Sequence, residues 1–344
     1  MIFWNNDYNK GAHPSIIQAF ASTNEESYEG YGLDPWCRKA AVELKKYLGG
    51  KEADIHFLLG GTQTNYTMIA AALRPYQGIV CADSGHIQVH ETGAVEHIGH
   101  KIHVVPGTDG KLTAEAVEKE AAAYAHSDIP EHVTQPKMVF LSFPSEFGTI
   151  YTREELQSIS VVCRRYGLYL MVDGARMGYG LGAENNEVTL ADIAEAADIF
   201  SVGGTKCGAM FGEAVVIVNQ ELKEHFRSYM KQNGALLAKG WVLGLQFYTL
   251  FRDGIYFKIT EEADRFAMEI KKAFLKKGIP LYMDSFTNQQ FVLLSGRQME
   301  HLAKRHVFEK QFPAEDGRYC VRFCTSWSTR RQDLDALLED IEDL

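Results

Sequence analysis

Short, unbroken apolar runs rich in β-branched residues recur along this chain, each separated from the next by a helix-like segment. They fall at 55–59, 78–82, 101–105, 138–143, 168–172, 199–203 and 214–218. Runs of this length without polar alternation suit strands buried on both faces. Strands alternating with helices imply an α/β layer with a mostly parallel sheet sandwiched by helices. The intervening helices are expected at 35–48, 62–73, 113–124 and 153–166, the first stopped by Gly49-Gly50. Residues up to 34 are irregular and rich in Asn, Gly and aromatics. After Asn219 the pattern changes to long helices, 220–251 and 255–277, then to short strands (291–294, 319–325) and helices (297–305, 332–343). This predicts a large domain over 1–250, its first 34 residues contributing to the site, and a smaller α+β domain over 251–344.

Charge narrows the possible partners. Thirty-five basic against 45 acidic residues leave a net charge of −10, and no Lys/Arg cluster offsets it, which disfavours nucleic acid and anionic lipid. No apolar run approaches the roughly 20 residues needed to cross a bilayer. Met1 to Lys10 is polar and aromatic, unlike a signal peptide. The six cysteines (Cys37, Cys81, Cys163, Cys207, Cys320 and Cys324) lack zinc-ligand or redox-pair spacing. A reduced, cytoplasmic protein with no metal site is the simple expectation.

In an open parallel sheet, ligands sit outside the carboxyl ends of the strands, so residues just after each run matter most. Leu59-Gly60-Gly61-Thr62 turns from a strand into a helix. Its glycines let backbone approach an anion, Thr62 can cap, and the helix dipole favours phosphate; an ordinary tight turn would look the same. Asp173 ends an apolar strand, followed by Gly174-Ala175-Arg176. It can keep a pyridine nitrogen protonated, making a pyridoxal ring an electron sink, or it can cap a helix or bind a metal. Arg176 offers a fixed cation to a carboxylate or phenolate oxygen. Lys206 stands in Gly203-Gly204-Thr205-Lys206-Cys207-Gly208, where partial burial would lower its pKa for imine formation. Thr205 beside it can donate to a phosphate. His86, after the run ending at Ala82, is either a buried structural histidine or a ring that stacks on a pyridine and moves protons.

Taken together, these residues resemble the threonine aldolase / β-eliminating lyase family of fold-type I pyridoxal-phosphate (PLP) enzymes. The resemblance runs from Tyr31-Gly-Leu-Asp-Pro35 through Gly61-Thr62-x-x-Asn65, Asp83-x-x-His86 and Gly148-Thr-Ile-Tyr-Thr-x-Glu-Glu-Leu156. It continues through Asp173-Gly-Ala-Arg176 and Thr205-Lys206 to Val321-Arg322-Phe-x-Thr325-Ser-Trp327. It implies that Lys206 carries the cofactor, Asp173 pairs with its ring nitrogen and His86 stacks on the ring. Gly61, Thr62 and Thr205 would hold the phosphate. Arg322 and Arg176 would bind the substrate α-carboxylate, assisted by Asn6 where the family usually has Ser. The segment 227–239 resembles a loop that reaches a neighbouring subunit's phosphate, through Lys231 or Lys239, in a homodimer or homotetramer.

Two departures stand out. The family commonly shows a His-Asn pair before the Gly-Thr of the fourth segment; this chain has Ser145-Glu146-Phe147, so Glu146 is the candidate acid/base group. Cys207 replaces a usual Gly. The implied activity is cleavage of a β-hydroxy-α-amino acid, of threonine, allo-threonine or phenylserine type, to glycine and an aldehyde. A β-eliminating lyase, an aminotransferase on a small amino acid and a non-catalytic scaffold are the alternatives.

Overall fold

A computed structural model describes residues 1–344. After a two-residue strand, β1 (Ile2–Phe3), come β2 (Asp54–Leu58), β3 (Gln77–Ala82), β4 (Ile102–Val105), β5 (Gln135–Ser142), β6 (Tyr169–Asp173), β7 (Ile199–Gly203) and β8 (Glu213–Ile217). All seven expected runs are therefore strands, and they form one sheet in the order β2-β8-β7-β6-β5-β3-β4. Every neighbour pair from β7 to β4 is parallel, whereas β8 runs antiparallel to both β7 and β2. The reason is the connection. Only residues 204–212 join β7 to β8, too few for the crossover that a parallel pair needs.

Both faces of the sheet are covered. On one, Met68 and Ile69 of the helix Gly61–Ala72 pack on Ile79, Cys81, Phe140, Met171 and Val215. On the other, Val80, Val139, Leu141, Val172 and Phe200 meet Leu156 and Ile159 of the helix Arg153–Tyr166, with Phe247 and Phe251 of the helix Trp241–Arg252. The ends of Arg153–Tyr166 are written locally: Thr152 and Glu155 form a capping box, and Gly167 ends the helix at φ +64°.

Three expectations need correction. The expected helix 220–251 is three pieces: a 3-10 turn Gln220–Leu222, then helices Phe226–Gln232 and Trp241–Arg252. His225 and Gly234, at φ +59° and +70°, interrupt it with left-handed backbone. The supposedly irregular first stretch holds the helix Pro14–Thr23, started by Pro14 and by the His13 ring accepting the Ser15 N–H. Thr62 does not cap the helix Gly61–Ala72. Gly60 takes that position and offers no side chain.

The C-terminal part contains β9 (Leu281–Met283), β10 (Gln289–Leu294), β11 (His306–Val307), β12 (Glu309–Pro313) and β13 (Tyr319–Cys324). Four of them form an antiparallel sheet ordered β12-β13-β10-β9, while β1 pairs with β11. Its core joins Val292, Leu294, Val321 and Phe323 to Trp4 from the N-terminus and Leu334 from the last helix. The helix Ile255–Lys276 serves both cores, giving Tyr256 and Ala263 to the large one and Phe266, Ile270 and Phe274 to the small one. No helix is long and apolar enough to cross a membrane.

Close approach of backbone at the end of β7 constrains what can follow it. A Cβ placed on Gly203 would lie 2.2 Å from the Ala175 carbonyl oxygen and 2.6 Å from its carbon. Gly203→Ala should therefore cost about 1–3 kcal/mol, the usual range for overpacking. The measurement is the urea midpoint at constant m; an unchanged midpoint would refute so tight a turn.

Candidate active site

The chemistry-bearing residues gather at one edge of the large sheet, because parallel strands end there together. Asp173 is the last residue of β6 and is buried, level with Ser142 at the end of β5. Side-chain alternation puts it on the same face as Met171, under the helix Gly61–Ala72. Its Oδ1 accepts the Ala175 N–H at 2.8 Å, and its Oδ2 accepts Asn65 Nδ2 at 2.8 Å. The same Nδ2 donates to Glu91 Oε1 at 2.8 Å, and that oxygen meets His86 Nδ1 at 2.8 Å. A continuous polar chain thus runs from Asp173 through Asn65 and Glu91 to His86. Burial alone would lower the pKa of the His86 ring. The Glu91 hydrogen bond, with the charges of Glu146 and Asp173, overcomes this and holds it above the ordinary value.

Lys206 lies half-buried in the 204–212 loop, its carbonyl accepting Tyr179 Oη at 2.7 Å. It lies near enough to His86, Asp7 and Glu213 for its charge to act on all three. Thr205 Oγ1 meets Glu213 Oε1 at 2.8 Å and accepts the Gly212 N–H at 3.0 Å. Glu146, after β5, accepts Ser142 Oγ at 2.9 Å, and its charge reaches both His86 and Arg176.

The two arginines come from different parts of the molecule. Arg176 is buried, and its Nε and Nη2 grip Asp7 at 2.7 and 3.0 Å. Asn288 donates to the same carboxylate at 2.9 Å. Arg322 on β13 donates to Gln289 Oε1 at 3.0 Å and to the Asn5 carbonyl at 3.1 Å, and pairs with Glu309. Its Nε is buried without a partner. Asn6 sits between Asn5, which touches Arg322, and Asp7, which holds Arg176. Lys206, Asp173, His86, Glu146, Thr205, Arg176, Arg322 and Asn6 thus fall at one sheet edge, whereas Lys231 lies 4.8 Å over the Tyr31 ring, outside this set. Asp7, Glu91, Glu213, Asn288 and Glu309 were not anticipated, and Asn65 was seen only as the end of the Gly61-Thr62-x-x-Asn65 motif, without a role. Only Glu213 carried a signal, as a carboxylate heading the apolar run 214–218.

The residues fit a pyridine ring with a phosphate tail. The N-terminus of Gly61–Ala72 has no side-chain cap, and a Cβ on Gly60 or Gly61 would meet nothing within 4 Å. Free N–H groups facing open space are suited to an anion. Thr64 Oγ1, Asn65 Oδ1 and Ser84 Oγ, from the segments carrying the anion turn and His86, are buried with no partner. Asp173 Oδ1 and Oδ2 each accept one protein donor and keep lone pairs for a ring N–H.

Burial alone would raise the pKa of Asp7. The Arg176 guanidinium overcomes this and keeps its carboxyl below the usual carboxylate range. A depressed carboxyl stabilises the fold above its unfolded value, near 4, and loses that contribution as pH falls through its folded value. Asp7→Asn should cost roughly 3–5 kcal/mol at neutral pH, as expected for orphaning a buried guanidinium. It should also flatten the acid limb of stability; equal acid sensitivity of mutant and parent would contradict this.

Comparison with known proteins agrees with this geometry. The family model described as "Beta-eliminating lyase" matches residues 11–314. The low specificity L-threonine aldolase of Pseudomonas aeruginosa is 29% identical, covering 97% of this chain and 95% of its own. That of Saccharomyces cerevisiae is 27% identical over 74% of this chain and 64% of its own. The solved structure of Leishmania major threonine aldolase superposes with a TM-score of 0.96 at 40% identity, covering 100% of this chain and 99% of that one. Aspartate aminotransferase from Thermus thermophilus shares the fold, with a TM-score of 0.71 at 16% identity, covering 100% of this chain and 91% of that one. The chain belongs to the beta-eliminating lyase family and is a fold-type I, pyridoxal-phosphate-dependent lyase.

Proposed function

We propose that this enzyme cleaves a β-hydroxy-α-amino acid, of threonine, allo-threonine or phenylserine type, to glycine and an aldehyde. The observation that carries the proposal is the convergence of Lys206, Asp173 and His86 with two arginines at one sheet edge. The near full-length likeness to proteins named threonine aldolases supports it.

Lys206 is the residue we assign to the cofactor's aldehyde carbon, Asp173 to its ring nitrogen and His86 to its ring face. Gly61, Thr62 and Thr205 are assigned to its phosphate, with Arg176 beside the ring. When bound, pyridoxal phosphate supplies the electron sink that lets a bond at the substrate Cα break. The chain's own residues do the rest. Arg322, through its unpartnered Nε, takes the substrate carboxylate with Asn6, and Arg176 contributes its remaining Nη1 edge. This grip would fix the orientation of the substrate's Cα bonds, and orientation of that kind selects the reaction. His86, tied to Glu91 through Nδ1, presents Nε2 to the β-hydroxyl proton. Glu146 Oε2 is the second acceptor, since Oε1 holds Ser142. We divide the chain at 250 and 251, assigning β1 and Trp4 to the small core. We also infer a cytoplasmic homodimer or homotetramer with shared sites, consistent with six free, buried cysteines.

Two experiments test the proposal. L-threonine, L-allo-threonine and phenylserine should each be assayed for products. Glycine plus aldehyde is expected, whereas pyruvate plus ammonia, or amino exchange with a keto acid, would replace aldol cleavage. In the same assay Lys206→Ala should lose the visible imine band and fall to background; an unchanged spectrum would remove Lys206 from its role. The second test concerns His86. Its raised pKa means that the Glu91 pair stabilises the fold below the ordinary histidine value and stops doing so as pH rises through the folded one. Glu91→Gln should therefore move the His86 titration to lower pH, read from the imidazole NMR signals and the acid limb of kcat/KM. An unmoved titration would mean that Glu91 does not set it.

A further inference from the structure

Glu213 is a buried ionisable group beside the lysine loop that the proposed chemistry leaves unused. It opens the antiparallel strand β8, so its position lies at the same sheet edge as the C-terminal ends of the parallel strands, opposite Gly203 on one side and Leu58 on the other. Period two places it on the face of Val215 and Ile217, the face that Asp173 shares and that the helix Gly61–Ala72 covers. The residue is 3% exposed. Its Oε1 lies 2.8 Å from Thr205 Oγ1, and its Oε2 accepts the Gly204 N–H at 3.2 Å. It therefore underpins both residues preceding Lys206.

The Thr205 hydroxyl has one proton and two lone pairs. One lone pair takes the Gly212 N–H at 3.0 Å, and the Gly212 carbonyl oxygen lies 3.5 Å away, at the limit of hydrogen-bond reach. Were Glu213 a carboxylate, the single Thr205 proton would have to point at it, and nothing would remain to give an anion. Were Glu213 a carboxylic acid, its O–H would fill the second lone pair while its carbonyl accepts Gly204, and the Thr205 proton would be free to turn outward. The Gly204 N–H requires an acceptor at Oε2, while the Thr205 hydroxyl at Oε1 can meet either an acceptor or a donor.

We propose, resting on the cofactor assignment above, that Glu213 acts as a neutral acid that holds Thr205 from below and directs its hydroxyl proton at the cofactor phosphate. It is a positioning residue, acting through Thr205. The surroundings agree: burial is the largest influence on its carboxyl, opposed by the Thr205 hydrogen bond and Lys206 and assisted by Asp173, and the balance pushes it up to about 8. The other titratable groups that feel it, Cys207 and Tyr256, are themselves pushed upward by burial and stay neutral.

The test uses the full chain stripped of cofactor and titrated separately with pyridoxal phosphate and with pyridoxal, which lacks the phosphate. Glu213→Gln reproduces the donor and acceptor of the acid without charge, so both affinities should stay within about twofold of the parent. Glu213→Leu and Thr205→Val should each weaken pyridoxal phosphate about ten- to a hundredfold, the worth of one hydrogen bond to a charged group, and leave pyridoxal unchanged. If Glu213→Leu does not fold, Thr205→Val and Glu213→Gln decide between them. A Gln variant that loses phosphate-specific affinity would overturn the proposal, because a carboxylate would then be required. So would a Thr205→Val variant that binds as the parent does. If the parent takes up neither probe, the cofactor assignment itself falls, which separates that failure from this one.

Discussion

The buried pair between Asp7 and Arg176 is the contact through which three separate parts of the chain become one site. Arg176 follows β6 in the large domain, Asp7 belongs to the N-terminal segment, and Asn288, which donates to the same carboxylate, precedes β10 in the small domain. Both charges are out of water, so neither residue is tolerable there without the other. The bidentate geometry fixes direction as well as distance. With Asp7 held, Asn5 and Asn6 have little freedom, and the Asn5 carbonyl reaches Arg322 on β13. The N-terminal segment thus works as a strap: β1 and Trp4 bind it to the small domain, and Asp7 binds it to the large one.

A second constraint comes from topology. Because only residues 204–212 join β7 to β8, the lysine loop cannot leave the sheet edge; it turns back into an antiparallel strand. Its shape is set by contacts that exclude side chains. Cβ atoms on Gly203 and Gly204 would collide with the Ala175 backbone and the Gly212 carbonyl oxygen. Lys206 is held by the backbone on both sides, with Tyr179 fastening its carbonyl. A rigid loop at a sheet edge positions a reactive group better than a long surface loop does, because few backbone torsions are free to move it.

These two constraints explain what was legible in the sequence. Strands buried on both faces carry continuous apolar runs, so all seven strands of the large sheet, and the residues that follow them, could be read locally. Asp173, His86 and Lys206 are conspicuous because each is polar beside such a run. The small domain is harder: β9, β11 and β12 are short and half-exposed, with no period strong enough to mark them. The break at His225 was hidden because left-handed backbone at a histidine has no compositional sign. Asp7 meets Arg176 across 169 residues and Asn288 meets Asp7 across 281, whereas Glu309 meets Arg322 across the β12–β13 pairing; each arginine looks free in the primary structure. Glu91 is only five residues from His86, yet its role depends on Asn65, which arrives from another helix.

The electrostatics of the site depend on the same Asn65 amide. Asn65 Nδ2 has two protons and gives one to Glu91 and one to Asp173, so a single neutral amide separates two buried carboxylates. Glu91 passes that contact on to the His86 ring, and Asp173, which accepts one donor on each oxygen, keeps further lone pairs. The same edge holds a carboxylate paired to a guanidinium, Asp7, and one kept neutral by burial, Glu213. Four acids within one site are thus given four different tasks by their immediate hydrogen-bond partners. Of the cations at this edge, Arg176 is taken up by Asp7 and Arg322 by Glu309, and the Arg322 Nε remains buried without a partner.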